Sequence, residues 1–299
     1  MKGIVFTLVL MLFSTGLSAQ NQRFFYEYKF VPDLSEKDSV KTEMMLLDVT
    51  KNGSKYYSHK KFVADSIVNE DIQKQIRSSS GNFNVNRRNA GSVPYSVEKT
   101  YPDFKVELFQ QISSDAYIVE EDQKPEWKIL PEKEKIGEYE AQKAETDFGG
   151  RKWTAWFTPE IPIQDGPYKF YGLPGLIVKM EDQSGTHKMT LLGNKSFVPA
   201  AEQQKTESPG LVRIGMGGKP IKVSEKQFRK LWKEYVSDPG KSMREMMMRA
   251  GGGTTVQIRF KGPDGKEITD NQQAIRAIEE SAKASIKKNN NPIEPELYQ

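Results

Sequence analysis

The sequence predicts an α+β protein, built on a mostly antiparallel, strongly curved β-sheet with two C-terminal amphipathic helices packed against it. Three observations carry this reading. Short stretches of alternating apolar and polar residues recur along most of the chain, punctuated by Gly, Pro, Asn and Asp. Strong helical periodicity comes only late in the chain, in two segments. No linker rich in Pro or Ser divides the 299 residues into two self-sufficient halves. A single domain is therefore expected over 20–288, preceded by a signal peptide at 1–19 and followed by a loose tail at 289–299.

Taking the elements in order, residues 1–19 read as the secretory signal. Lys2 supplies the positive end, Ile4 to Phe13 the apolar run, and Ala19 a small residue ahead of a cut at Gln20. The apolar run is about half of the ~20 residues that span a bilayer, and no other follows, so an integral membrane protein is not expected. Cysteine is absent, which removes disulfides, thiol chemistry and the N-terminal cysteine of a lipoprotein. The expected location is the periplasm or the extracellular side, without a lipid anchor. With 44 Lys and Arg against 40 Asp and Glu, the charges nearly balance, and they alternate along the chain. No basic block follows a phosphate backbone, so nucleic acid is not an expected partner.

Phe24, Tyr26, Tyr28 and Phe30 share one face of a first strand. Lys41–Val49 and Ser54–Ser58 flank Asn52-Gly53 and predict a hairpin. Val63, Ile67, Ile72 and Ile76 lengthen the period to short helical turns, and 78–92 loses all pattern. Strands follow at Tyr95–Lys99, Lys105–Gln111 and Tyr117–Glu121. Gly149-Gly150 joins strands at Glu138–Thr146 and Lys152–Thr158, and Asp182–Gly185 joins Leu176–Met180 to His187–Leu192. A last pair, Val256–Phe260 and Lys266–Thr269, brackets Gly262-Pro263-Asp264-Gly265. The first late helix begins at the N-cap Ser224 with Gln227 in the capping-box position, and Phe228, Leu231, Trp232 and Tyr235 form its stripe. The second runs from about Asp270 to Lys288 and stops at Asn289 to Pro292.

One stretch is more specific than any of these. Gly172-Leu173-Pro174-Gly175-Leu176-Ile177 stands within Gly166 to Ile177. It is flanked by Lys143-Ala144, Gly150-Arg151, Trp153 to Phe157, Glu160 to Ile163 and Gly166-Pro167, and Asn290 to Glu294 stand near the end. On these residues the chain resembles the GLPGLI family of Bacteroidetes envelope proteins, most strongly between Tyr139 and Asp182. The resemblance implies an exported, β-rich protein, and by analogy of shape a half-barrel like that of periplasmic lipoprotein carriers. It supplies no catalytic residues.

The residues of this stretch have two readings. Glycine permits backbone torsions that a side chain forbids, and Pro167 and Pro174 have no N–H for a central strand. The plain reading is a turn that places Leu173, Leu176 and Ile177 in the core. The sharper one is a rigid loop at a cavity mouth or a docking surface. Trp153, Trp156, Phe157, Tyr168, Phe170 and Tyr171 crowd the same region, either as sheet packing or as the wall of an apolar pocket. The candidate ligand- or partner-binding set is accordingly Trp156, Tyr168, Phe170, Tyr171, Gly172, Leu173, Pro174 and Gly175. The expected ligand is a lipid or other apolar molecule, the expected partner an outer-membrane protein.

Enzyme chemistry finds little footing. His59 and His187 are the only histidines and stand in no metal motif. His59 lies near Asp65-Ser66, yet no G-x-S-x-G elbow surrounds Ser66. Acidic pairs such as Glu160/Asp165 have no defined separation in sequence. No cofactor or metal is expected, and the protein reads as non-enzymatic. Two alternatives remain: assembly into an envelope complex through the GLPGLI turn or a sheet edge, and Cu(I) binding by Met243, Met246, Met247 and Met248, whose soft thioethers suit that ion.

Overall fold

The structure is a computed structural model that describes residues 21–77, 91–113, 115–198, 219–250, 260–261, 267–268 and 270–299. The expected signal segment, residues 78–90 of the patternless stretch 78–92 and the turn at 262–265 lie outside the described residues.

Alternation produces the strands as read. In β1 (Gln22–Phe30) the residues Phe24, Tyr26, Tyr28 and Phe30 are all buried. The hairpin β2 (Lys41–Thr50) and β3 (Gly53–Ser58) follows, then a helix, α1 (His59–Arg77). Next come β4 (Ser96–Thr100), β5 (Lys105–Ile112), β6 (Asp115–Glu121), β7 (Lys128–Ile136), β8 (Tyr139–Phe148) and β9 (Arg151–Thr158). After a long excursion the chain returns as β10 (Leu176–Asp182) and β11 (His187–Ser196). The C-terminal part holds β12 (Ile221–Ser224), α2 (Glu225–Ser237), α3 (Lys241–Ala250), β13 (Phe260–Lys261), β14 (Glu267–Ile268), α4 (Asn271–Lys288) and a 3-10 turn at Pro295–Tyr298. Ser224 and Gln227 form the capping box that opens α2.

Twelve strands make one sheet in the order β12-β6-β5-β4-β3-β2-β1-β11-β10-β9-β8-β7, and β13 and β14 pair separately. Two meanders are thus visible, β1 to β6 and β7 to β11. They are joined along the antiparallel β1–β11 ladder, which runs from Gln22↔Ser196 to Phe30↔His187 with a bulge at Phe25/Tyr26.

The expected fold class is corrected here. The protein is mostly β, with few helices. The sheet is open instead of rolled into a strongly curved half-barrel, with β12 and β7 as its end strands. It is also mixed, because β12 runs parallel to β6. Among the described residues α2 packs on the sheet, through buried Phe228 against Tyr117. The sole residue of α4 described as buried is Ala274, and this helix lies against β14 and reaches α3 through Arg244 and Glu279. The physical reason is what covers the apolar face. Residues 159–175 and the C-terminal tail do that work, so neither sheet curl nor a second helix is required.

The tail is not loose. Asn291, Ile293, Glu294 and Leu297 are buried. Arg151 donates to the carbonyls of Pro292 (2.7 Å) and Ile293 (3.1 Å), and Asn291 Nδ2 donates to Val31 O (2.7 Å). Tyr298 meets Phe228 and Trp232 edge-on. Among the described residues no helix is long and apolar enough to cross a membrane.

Candidate functional site

Residues 159–175 leave β9, cross the buried face and return into β10. Their backbone groups are satisfied mainly within the segment and its neighbours: Gly172 N donates to Gln164 O, Ile177 N to Asp165 O and Leu176 N to Ile161 O, each at 3.0 Å, and Asp165 and Tyr171 form an isolated bridge. Glycine is required at two points for different reasons. A Cβ on Gly175 (φ +148) would meet Thr158 O at 2.1 Å, and one on Gly166 would press into Ile177 at 2.8 Å. Gly172 (φ +93) faces open space and needs glycine only for its torsion.

Two buried lysines hold the segment from either side. Lys99 of β4 lies on the inward face with Val97, and its ammonium donates to the carbonyls of Gly166 (2.8 Å) and Tyr168 (2.9 Å) while pairing with Asp165. Asp165 also accepts from Tyr101 Oη. Burial pulls the Lys99 ammonium below its ordinary pKa, and Asp165 opposes that shift. Lys169, within the segment, pairs with Glu121 of β6 (2.6 Å) and Glu294 of the tail (2.7 Å). Burial alone would lower Lys169, but Glu294 and Glu121 outweigh it and hold it above the usual value. Tyr168 Oη donates to Glu294. Such pairs are well formed only because each remaining charge and carbonyl has a partner.

One carboxylate oxygen from each of Glu121, Glu225 and Glu294 lies within 4.8 Å of the other two. The Lys169 ammonium already supplies the cation between Glu121 and Glu294. A second buried node is His187, whose Nδ1 is 2.7 Å from Tyr28 Oη. Burial and then the nearby Arg151 guanidinium push its pKa down to about 3, against Asp182. His187 is therefore neutral over the physiological range.

Comparison with known proteins adds the following. A family model described as a protein of unknown function (Porph_ging), from a Bacteroidetes-associated family, matches residues 149–179. No curated protein matches the chain. Two solved structures of PNGF-II are similar to it. The one in space group P21 has 13% identity and a TM-score of 0.44 and covers 71% of this chain and 33% of that one. The one in space group C2 has 14% identity and a TM-score of 0.45, with 71% and 32% covered. The chain thus spans about a third of the length of those structures.

The matched stretch takes in Arg151, Asp165, Lys169 and the whole excursion, so the residues that carried the resemblance meet in space: Arg151 and Lys169 both grip the tail around Asn291 to Glu294. The eight candidate residues are not brought together as a pocket. Tyr168, Phe170, Tyr171 and Leu173 are buried among Trp153, Phe148, Phe104 and their neighbours. Trp156 lies apart from them on the opposite face of β9, flanked in register by Lys143 and Lys179, with the Lys179 ammonium 6.0 Å from its ring centroid. Gly175 is buried, and only Gly172 and Pro174 are exposed.

Other sequence candidates also resolve. His59, Asp65 and Ser66 share α1 without forming a triad: Asp65 pairs with Lys61, and Ser66 Oγ donates to Phe62 O. Met243 lies on α3, and the side chains of Met246, Met247 and Met248 fall outside the described residues. Sequence reasoning met Arg151, Lys169 and Glu294 only as part of the resemblance and gave no buried role to them or to Lys99, Glu121 and Glu225. One signal was available: Lys99 alternates with Val97, and Glu121 with Val119 and Tyr117, so a charge was being sent to the apolar face.

Proposed function

We propose that this is an exported, non-enzymatic envelope protein of the GLPGLI type that docks an outer-membrane partner through the tip of the 172–174 turn. One observation supports this reading. The turn shows solvent only Gly172 and Pro174, while the residues around them are anchored by buried aromatic packing and the Lys99 ammonium. A tip already held in shape loses little conformational freedom on binding. The apolar-ligand version is less favoured, because the aromatic rings that would have lined a cavity are spent in the core. Edge pairing is also less favoured. The end strand β7 presents Lys128, Glu132, Lys133, Glu134 and Lys135 with Pro131 among them, the features that protect an edge from further strands.

The test is site-specific photo-crosslinking in the native host, with the photoreactive residue at Pro174 and a control at exposed Lys188 on β11. A discrete adduct with one outer-membrane protein from position 174, and none from 188, is the expected result. Identical adducts from both positions, or none from 174, overturn docking by the tip. Native mass spectrometry of the purified protein addresses the carrier version, which a co-purifying lipid would restore.

A further inference from the structure

We propose that Glu121, Lys169, Glu225 and Glu294 form a proton-dependent latch that fastens the first turn of α2 and the C-terminal tail to the sheet. Four separate parts of the chain meet there: the end of β6, the 159–175 excursion, the start of α2 and the tail. The geometry is an imbalance of charge in a confined space. Three carboxylates lie within 4.8 Å of one another, and the single buried ammonium contacts two of them, at 2.6 and 2.7 Å. The remaining cation is Arg229, one turn along α2 and 3.3 Å from Glu225; its side chain is 40% exposed, so solvent screens it. Apart from Arg229, the four groups when all ionised carry two more negative than positive charges, and one retained proton halves that excess.

Glu225 is the group that retains it. Burial first, and then the hydrogen bond and charge of Glu121, push its carboxyl up to about 7, with Glu294 adding to the rise and Lys169 opposing it. Glu121 moves the other way: burial would raise it, but Lys169 and the hydrogen bond from Glu225 hold it below the ordinary carboxylate range. A proton shared from Glu225 to Glu121 therefore ties α2 to β6. The tail is tied to the same helix by Tyr298 against Phe228 and Trp232, and by Arg229 to Glu296 O.

The sign follows from linkage. Glu225 binds its proton more tightly in the fastened state, with a value near 7, than in an opened one, near the usual 4.5. Fastening is complete below the lower value, is lost as pH rises towards 7, and changes no further above it. His187 faces the tail beside Asn291 and, being held down to about 3, gives the opposite slope at lower pH. Any test must separate the two.

Hydrogen exchange followed by mass spectrometry on the full chain does so, at pH 5, 6, 7 and 8 with times corrected for intrinsic exchange. Between pH 5 and 7 the opening equilibrium over residues 225–237 and 291–298 should increase at least tenfold in the wild type relative to Glu225→Gln at the same pH, since each unit between the two values is worth about tenfold and His187 acts alike in both proteins. Glu225→Gln mimics the protonated carboxyl and keeps His187, so the ratio of wild type to variant cancels the His187 slope and carries the Glu225 contribution alone. A ratio of wild type to variant that does not change between pH 5 and 7 overturns the latch. If the variant does not fold, the wild type alone decides through carboxyl NMR of labelled glutamate: one carboxyl titrating near 7 supports the latch, and none above about 5.5 refutes it.

Discussion

At the scale of single residues, the buried cations dominate. Lys99→Met removes the ammonium and leaves Asp165 with its charge buried. A loss of about 3–5 kcal/mol is expected from urea unfolding, as for other buried pairs broken on one side. Changing Asp165→Leu in the same chain should recover only part of it, because the carbonyls of Gly166 and Tyr168 still lack their donor. Full recovery would mean that the lysine acts only as a counter-ion. The glycines of the motif should separate just as sharply. Gly172→Ala meets open space and costs about 1 kcal/mol for its torsion, whereas Gly175→Ala drives a Cβ onto Thr158 O and should cost several times more in the same assay. Glycine at both positions was legible in the sequence. Which one was sterically obligatory was not, since that depends on a backbone atom of the preceding strand.

At the scale of elements, legibility followed burial. Strands with one apolar face, such as β1, β5 and β9, carry an alternation that can be read directly. The end strand β7 is solvated along nearly its whole length, so no alternation was imposed on KILPEKEKI, and it was missed. So was β12, four residues long and paired on one side only. The first late helix was legible because its start signal is chemical: Ser224 and Gln227 satisfy each other's backbone donors. Ser224→Ala should lower stability by about 1 kcal/mol, measured as a shift in the urea midpoint at unchanged slope. The tail reads as loose in the sequence because Asn289 to Pro292 stop the helix and no periodic pattern follows. Its anchoring depends on Arg151 and Lys169, more than a hundred residues away in sequence.

At the scale of the whole molecule, two consequences can be measured. Leu297 is 2% exposed near the end of the chain, so Leu297→Ala should cost about 2–5 kcal/mol, the range for a core position, and not the near-zero of a free terminus. Acid should also weaken the fold through His187. The unfolded chain takes up a proton near 6.5 and the folded one only near 3, so stability rises with pH across that interval and falls as acid is added. His187→Gln should flatten the dependence of the urea midpoint between pH 4 and 6, and an unchanged slope would place the acid sensitivity elsewhere.

The arrangement of the two meanders bears on the order in which the molecule can form. Strands β1 to β6 pair with their sequence neighbours, as do β7 to β11 in the second set, and the longest intervals between them, 59–95 and 159–175, are far shorter than the span that follows. The β1–β11 ladder instead closes a loop of more than 150 residues. Loop-closure entropy makes that pairing a late event. Until it occurs, β1 keeps one side of its backbone unpaired and Phe24, Tyr26 and Tyr28 remain partly uncovered. A chain emerging from its N-terminus would hold that exposed edge until residue 187 and beyond had appeared, so the interval before the seam closes is when this protein is most exposed to mispairing with other chains.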